Sequence, residues 1–174
     1  IAQKFNNDYK CQNFFPLPEP MIQKNISRVM SLRDGKKKMS KSEESAYSRI
    51  DLNDSEDDIK KKIKKAKTDS LPIPGHSKDL KDRPEALNLL NIYSFLTNST
   101  LDKTLDLMKG KDFSKFKNEL SDVVISSISP IGKKIANLKK DQTYLMKVLK
   151  DGADKANLIA QKNLKEVKNI LGFV

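Results

Sequence analysis

The chain has 174 residues, with 34 lysines and arginines against 23 acids, a formal charge of +11 and a pI near 9.6. That length suffices for one modest domain, or for part of one joined to a second, and the charge favours a polyanionic partner. A mean hydropathy of -0.63 without a long apolar run excludes a membrane span, and the single Cys11 excludes an internal disulfide or a zinc cluster of several thiols and fits a reducing compartment.

Residues 1–10 read as the end of a helix, stopped by Asn6-Asn7-Asp8. The start at Ile1 in place of methionine leads us to expect a truncated or processed product that begins within a domain. Phe14, Phe15, Pro16, Pro18 and Pro20 describe an extended loop whose aromatics need a surface to cover. Residues 26–32 are the best strand candidate, with Ile26, Arg28, Met30 and Leu32 alternating against Ser27, Val29 and Ser31.

That apolar run enters Gly35-Lys36-Lys37-Lys38-Met39-Ser40-Lys41-Ser42, a glycine-hinged, lysine-dense loop. Lysines on flexible stems bring point charge to phosphate oxygens, and small serines let the backbone approach closely and add hydroxyl donors. On pattern alone, such a run is more often a solvated surface or a generic nucleic-acid patch. Beyond it, Asn53-Asp54-Ser55-Glu56-Asp57-Asp58 offers a helix cap and an acidic first turn, and residues 60–67 a basic end, in the order the helix dipole prefers. Ile59, Ile63 and Ala66 form its narrow apolar stripe, leaving the lysines to solvent or to phosphate.

Residues 68–83, with Pro72, Pro74 and Gly75, read as a polar surface loop, and the lone His76 there makes no case for a metal or a catalytic base. From Pro84 the pattern is helical to the end. A helix through Leu96 is broken at Thr97-Asn98-Ser99, and a short one carries Leu101, Leu105 and Met108 to Gly110. A longer one from Phe113 is expected to kink or break near Ser129 because of Pro130. The last, opened by Asp141, carries a stripe from Tyr144 to Leu171, and all these stripes are expected to bury one helical core.

The order of letters in Lys38-Met39-Ser40-Lys41-Ser42 resembles the KMSKS signature of class I aminoacyl-tRNA synthetases. Ser27-Arg28-Val29-Met30-Ser31-Leu32-Arg33-Asp34-Gly35 before it and Ser48-Arg49-Ile50-Asp51-Leu52 after it are similar to the tryptophanyl-tRNA synthetases. So are Arg83-Pro84-Glu85-Ala86-Leu87-Asn88-Leu89-Leu90-Asn91-Ile92-Tyr93-Ser94 and Gly152-Ala153-Asp154-Lys155-Ala156, which favour that branch over the tyrosyl one.

The resemblance implies a mostly α chain. Residues 1–70 would end a partial Rossmann-like α/β catalytic domain, and residues 71–174 would form an α-helical bundle that contacts the anticodon. It implies a tryptophan–tRNA ligase, in which ATP activates tryptophan and the tryptophanyl group passes to tRNA(Trp). Lys38 and Lys41 would be the catalytic contacts to the triphosphate and Ser40 and Ser42 supporting donors. Met39 would place backbone beside the adenine, and Arg28, Val29 and Met30 would line the nucleotide side. Lys36 and Lys37 would supply general positive field. Magnesium would be carried with ATP, whether it is held through protein groups or through ATP alone staying open. Glu43-Glu44 stands where the family has an acidic–proline pair, which would leave the loop's exit less rigid and more negative.

The family's histidine-rich signature and tryptophan pocket are not found in these residues, so this chain is expected to be a fragment inactive alone. The resemblance further implies a homodimeric full-length enzyme, no membrane, and a cytoplasmic location, an organellar one staying open. The alternative is a non-catalytic basic helical module that binds tRNA or other RNA through phosphates. A plain structural bundle would leave the signature unexplained.

Overall fold

The computed structural model describes residues 1–22 and 27–173, so the Ile26 end of the strand candidate lies outside the described residues. It is mostly helical, with six α-helices among the described residues: α1 (Ala2–Asp8), α2 (Glu56–Lys64), α3 (Pro84–Leu96), α4 (Leu101–Met108), α5 (Phe113–Lys140) and α6 (Gln142–Leu171). Two compact units result, one of Ile1–Ile22 with Leu138–Val174 and one of Gln23–Asn137.

Local chemistry accounts for most helix ends. The Ser55 hydroxyl accepts from the Asp58 amide, and Glu56, Asp57 and Asp58 meet the positive end of α2. Pro84 occupies the first turn of α3, where its missing N–H costs nothing. Thr100 caps α4 and Asp141 caps α6, each side chain accepting from the amide three residues on. Between α3 and α4, Asn98 takes a left-handed turn with φ of 56°.

The core lies wholly in the second unit. Leu32, Ile59 and Ile63 pack with Leu80, Leu89, Leu90, Leu105, Met108, Phe116 and Leu120, so residues on both sides of position 70 share one apolar interior. Ile73 and Leu80 correct the reading of 68–83 as a surface loop, being only 2% and 1% exposed. Arg83 gathers that stretch. Its guanidinium donates two bonds to Asp69, at 2.7 and 2.8 Å, and others to the carbonyls of Leu71 and Pro72, and it lies over the Phe113 ring.

The hydrogen bonds from Arg83 hold the Asp69 carboxyl below its ordinary value of 3.8, and the Lys67 ammonium does the same for Glu85 against 4.5. A carboxylate depressed in the folded state adds stability above its unfolded value and loses it as pH falls through the folded one. Thermal melts taken from about pH 6 down to about pH 2.5 should therefore show an acid limb beginning near the ordinary carboxylate values, and Asp69→Asn should make it shallower. An unchanged limb would remove the pair from the acid response.

Three other expectations are corrected. The strand candidate forms no strand in its described part, only one antiparallel bridge between Met30 and Lys38. Toward the loop tip, pairing ends at this bridge because the chain reverses at Asp34–Lys37. The break expected near Ser129 does not occur: helix α5 is continuous through Pro130, since proline removes one amide donor but a helix of 28 residues keeps the rest. Finally, the stripe of α6 is left uncovered within its own unit. None of its residues is buried, and Met146, Leu149, Leu158 and Ile159 are each more than 60% exposed. Among the described residues the only other helix wholly within that unit, α1, is about 10 Å long against about 45 Å for α6, too short to cover it.

In the first unit, Phe5 on α1 gathers Tyr9, Phe14 and Phe15 at ring separations of 4.9 to 5.9 Å, which is the surface the loop aromatics required. Asn6 fixes that loop by exchanging two hydrogen bonds with the Phe15 backbone.

On α5, the Ser129 hydroxyl is buried with no hydrogen-bond partner among the described residues. Ser129→Ala should leave stability unchanged or raise it by up to about 1 kcal/mol, because a desolvated, unpaired hydroxyl is lost. A urea titration showing clear destabilisation would mean that the hydroxyl has a partner.

Candidate functional site

The lysine loop is anchored at its root and open at its tip. Ser31 N–H donates to the Lys37 carbonyl at 2.8 Å, and Met39 N–H to the Val29 carbonyl at 3.0 Å. This frames Met30 and Lys38 as a bridged pair. The reversal between them is a turn in which Lys37 N–H returns to the Asp34 carbonyl and the Asp34 carboxylate accepts from Lys36 N–H at 3.0 Å.

Two further backbone bonds tie the root to the unit: Leu32 N–H to the Ser48 carbonyl, and Lys67 N–H to the Leu32 carbonyl. Met39 turns its side chain against the apolar core. Gly35, expected as a hinge, is instead buried beneath the first turn of α3 and has no left-handed φ. It is needed for close approach, because there is no room there for a Cβ.

Lys36, Lys37, Lys38, Lys41 and Ser42 are exposed, Ser40 and Met39 half-buried. None of these four lysines is ion-paired among the described residues, whereas Lys62, Lys67 and Lys111 are. The Ser40 and Ser42 hydroxyls lie 2.8 Å apart, and the Ser42 amide donates to Ser40 Oγ. Of the residues expected on the nucleotide side, Val29 and Met30 are half-buried at the loop root and Arg28 is exposed just before it.

The loop's exit is fixed by charge. Arg49 donates to the Glu43 carbonyl at 3.0 Å and pairs with Asp51 at 3.3 Å. Asp51 also faces Lys62, whose closer partner is Asp54. Thus Glu43-Glu44, expected to loosen the exit, is reached by an arginine through a backbone carbonyl instead of through its carboxylates. An array of unpaired ammonium groups with adjacent hydroxyls on a fixed root suits a polyphosphate. Among the described residues no cluster of three or more histidine, cysteine or acidic side chains could hold a metal ion.

The sequence reading missed Asn88, Arg49 and Lys62. Asn88 did leave a signal, a polar letter on the buried face of α3 among Ala86, Leu89 and Leu90. Arg49 and Lys62 left none, being charged residues among many.

With this geometry, the family model described as tRNA synthetases class I (W and Y) matches residues 1–129. The chain belongs to that family. Within these class I synthetases, it is similar to the curated tryptophan–tRNA ligases of Caulobacter vibrioides, 46% identical over 99% of this chain and 50% of that protein, and of Rickettsia conorii, 43% identical over 100% of this chain and 51% of that one. Among solved structures it is similar to tryptophanyl-tRNA synthetase from Mycoplasma pneumoniae, with a TM-score of 0.80 at 26% identity over 99% of this chain and 53% of that one. The Campylobacter jejuni enzyme, solved in complex with ADP and tryptophan, gives 0.65 at 26% identity over 98% and 51%. The tryptophanyl resemblance drawn from the sequence is therefore borne out. The chain spans about half the length of the curated relatives it matches.

Proposed function

We propose that this chain supplies the triphosphate-gripping loop and the helical portion of a tryptophan–tRNA ligase, the enzyme that uses ATP to activate tryptophan and transfers it to tRNA(Trp). The observation that carries this reading is the loop at 36–42, whose lysines are held at their root by backbone bonds but, among the described residues, are left without carboxylate partners. Lys38 and Lys41 contact the triphosphate. Negative charge builds on the departing pyrophosphate as the tryptophan carboxylate attacks the α-phosphorus, and ammonium groups that reach it best at that moment lower the barrier. Ser40 and Ser42 add hydroxyl donors, Met39 sets backbone beside the adenine, and Arg28, Val29 and Met30 line that side.

Magnesium enters with ATP, in keeping with a donor set of ammonium and hydroxyl groups. Residues 1–70 represent the end of the Rossmann-like catalytic domain and residues 71–174 the anticodon-contacting helical domain, a functional division within which positions on both sides of 70 share packing. Homodimerisation, a cytoplasmic location and inactivity of this chain on its own belong to the same reading.

The experiment is equilibrium binding by this chain. ATP affinity should fall by about tenfold or more with Lys38→Ala and again with Lys41→Ala, since one charge-assisted bond to phosphate is worth about 1.5–3 kcal/mol. The tRNA(Trp) should bind better than the same tRNA with an altered anticodon at each of two salt concentrations. Equal binding of all RNAs with a steep salt dependence would favour the alternative, a basic helical module that holds RNA through phosphates alone, for which the +11 charge suffices.

A further inference from the structure

Asn88 lies on the inner side of α3 and is 5% exposed, with Ala86, Leu89 and Leu90 buried around it. An amide in that setting is costly unless its hydrogen bonds are met. They are met by a segment 58 residues earlier. Asn88 Oδ1 accepts from Met30 N–H at 2.9 Å, and Nδ2 donates to the Met30 carbonyl at 2.8 Å and, more weakly, to the Ser31 carbonyl at 3.4 Å.

The bridge geometry explains why Met30 is available. Its neighbours, not Met30 itself, make the cross-chain bonds to Lys37 and Met39, so Met30 and Lys38 form a non-hydrogen-bonded pair and the Met30 N–H and C=O point outward. Asn88 takes both, as a further strand would. A second contact lies a few residues on, where Gly35 sits against the backbone of Pro84 and Glu85. The first turns of α3 thus hold the lysine hairpin at its root and at its reversal.

We propose that Asn88 is a positioning residue for the lysine loop: by gripping Met30, it fixes from α3 the place at which Lys38 and Lys41 are presented to phosphate. This rests on the reading of the loop as a triphosphate site. It also makes α3 the route by which an event in the helical portion reaches the loop, because a displacement of α3 carries Met30 and its bridged partner Lys38 with it.

The test is Asn88→Asp in the full chain, followed by amide hydrogen exchange and ATP binding. Aspartate has the same size and still accepts from Met30 N–H, but it sets an oxygen against the Met30 carbonyl. The expected result is exchange at Ser31 and Met39 faster by about tenfold or more, unchanged protection within α4 and the buried turns of α5, and ATP affinity reduced several-fold. Unchanged hairpin amides, or equal acceleration in the hairpin and in α4 and α5, would overturn the proposal, since the second result is what a purely structural asparagine gives. Should Asn88→Asp not fold, Asn88→Ser, which can meet only one of the two bonds, is judged by the same comparison. If the unaltered chain binds no ATP, the phosphate reading of the loop fails, and the exchange data alone decide whether Asn88 holds the hairpin.

Discussion

Gly35→Ala is expected to lower the stability of this chain by roughly 2–3 kcal/mol, the upper range for forcing extra volume into a packed site. A Cβ at position 35 would lie 2.4 Å from the Pro84 carbonyl carbon, 2.5 Å from the Glu85 nitrogen and 2.7 Å from the Pro84 oxygen. All three are backbone atoms at the start of a helix, so no side chain can swing aside. Either the hairpin lifts from α3, straining the Asn88–Met30 bonds, or α3 shifts against the core. The cost is steric, since Gly35 has no left-handed φ to lose.

Two other glycines calibrate the effect. At Gly132 the Cβ would approach one backbone atom closely, the Leu52 oxygen at 2.7 Å, in an exposed loop that can give way, so a smaller loss is expected. At Gly152, inside α6, nothing lies within 4 Å, and alanine should stabilise by about 0.5–1 kcal/mol through helix propensity alone. Urea unfolding of the three variants checks the order. A Gly35→Ala midpoint equal to that of the parent would mean that the contact beneath α3 is not tight.

What the sequence made legible is what local chemistry decides. The N-caps at Ser55 and Asp141, the proline opening α3 and the turn at Asn98 each follow from a residue acting on its immediate neighbours. The lysine loop was legible for a different reason, because five letters in a fixed order carry more information than a charge count. Ile73 and Leu80 were hidden because a single apolar residue among prolines and polar residues has no periodicity, and only tertiary packing shows that it is buried. The strand reading of 26–32 failed in its described part for a related reason, since alternation marks an extended segment but not whether a partner strand continues beside it. Helix α6 was read correctly as a helix, but its own unit does not cover its stripe: an amphipathic stripe demands a cover, and the sequence does not say where the cover is.

The same limit hid the support of the site. Asn88, Arg49 and Lys62 act on residues 58, 6 and 8 positions away, and nothing in their own neighbourhoods announces the partner. A lysine within Lys60-Lys61-Lys62 reads as one more solvated charge, yet the Lys62 side chain is 8% exposed while Lys60 and Lys61 face solvent. The loop at 36–42 therefore displays its chemistry in its letters, whereas its placement depends on contacts of long sequence separation.

Asp54→Ala should be costly for this reason, with an expected loss of about 2–3 kcal/mol. Breaking a buried ion pair from one side leaves an uncompensated charge and typically costs about 3–5 kcal/mol. Here Asp51, 3.7 Å from the Lys62 ammonium, offsets part of that. Asp54 also accepts from the Asp51 amide at 2.9 Å, so its removal frees the backbone of the residue that pairs with Arg49 and, through Arg49, holds the Glu43 carbonyl at the loop's exit. Lys62→Met should cost less, about 1 kcal/mol, because the apolar stem is kept and the remaining carboxylate retains an amide donor. The double variant should recover most of the Asp54→Ala loss, since the stranded ammonium is then absent. Thermal melts read this directly, at about 2–4 °C per kcal/mol for a chain of this size. A double variant that loses the sum of the two single losses would show that Lys62 and Asp54 act independently. Recovery of stability would identify the pair as the coupled support beneath the loop's exit, with Asp51 as the carboxylate shared between Lys62 and Arg49.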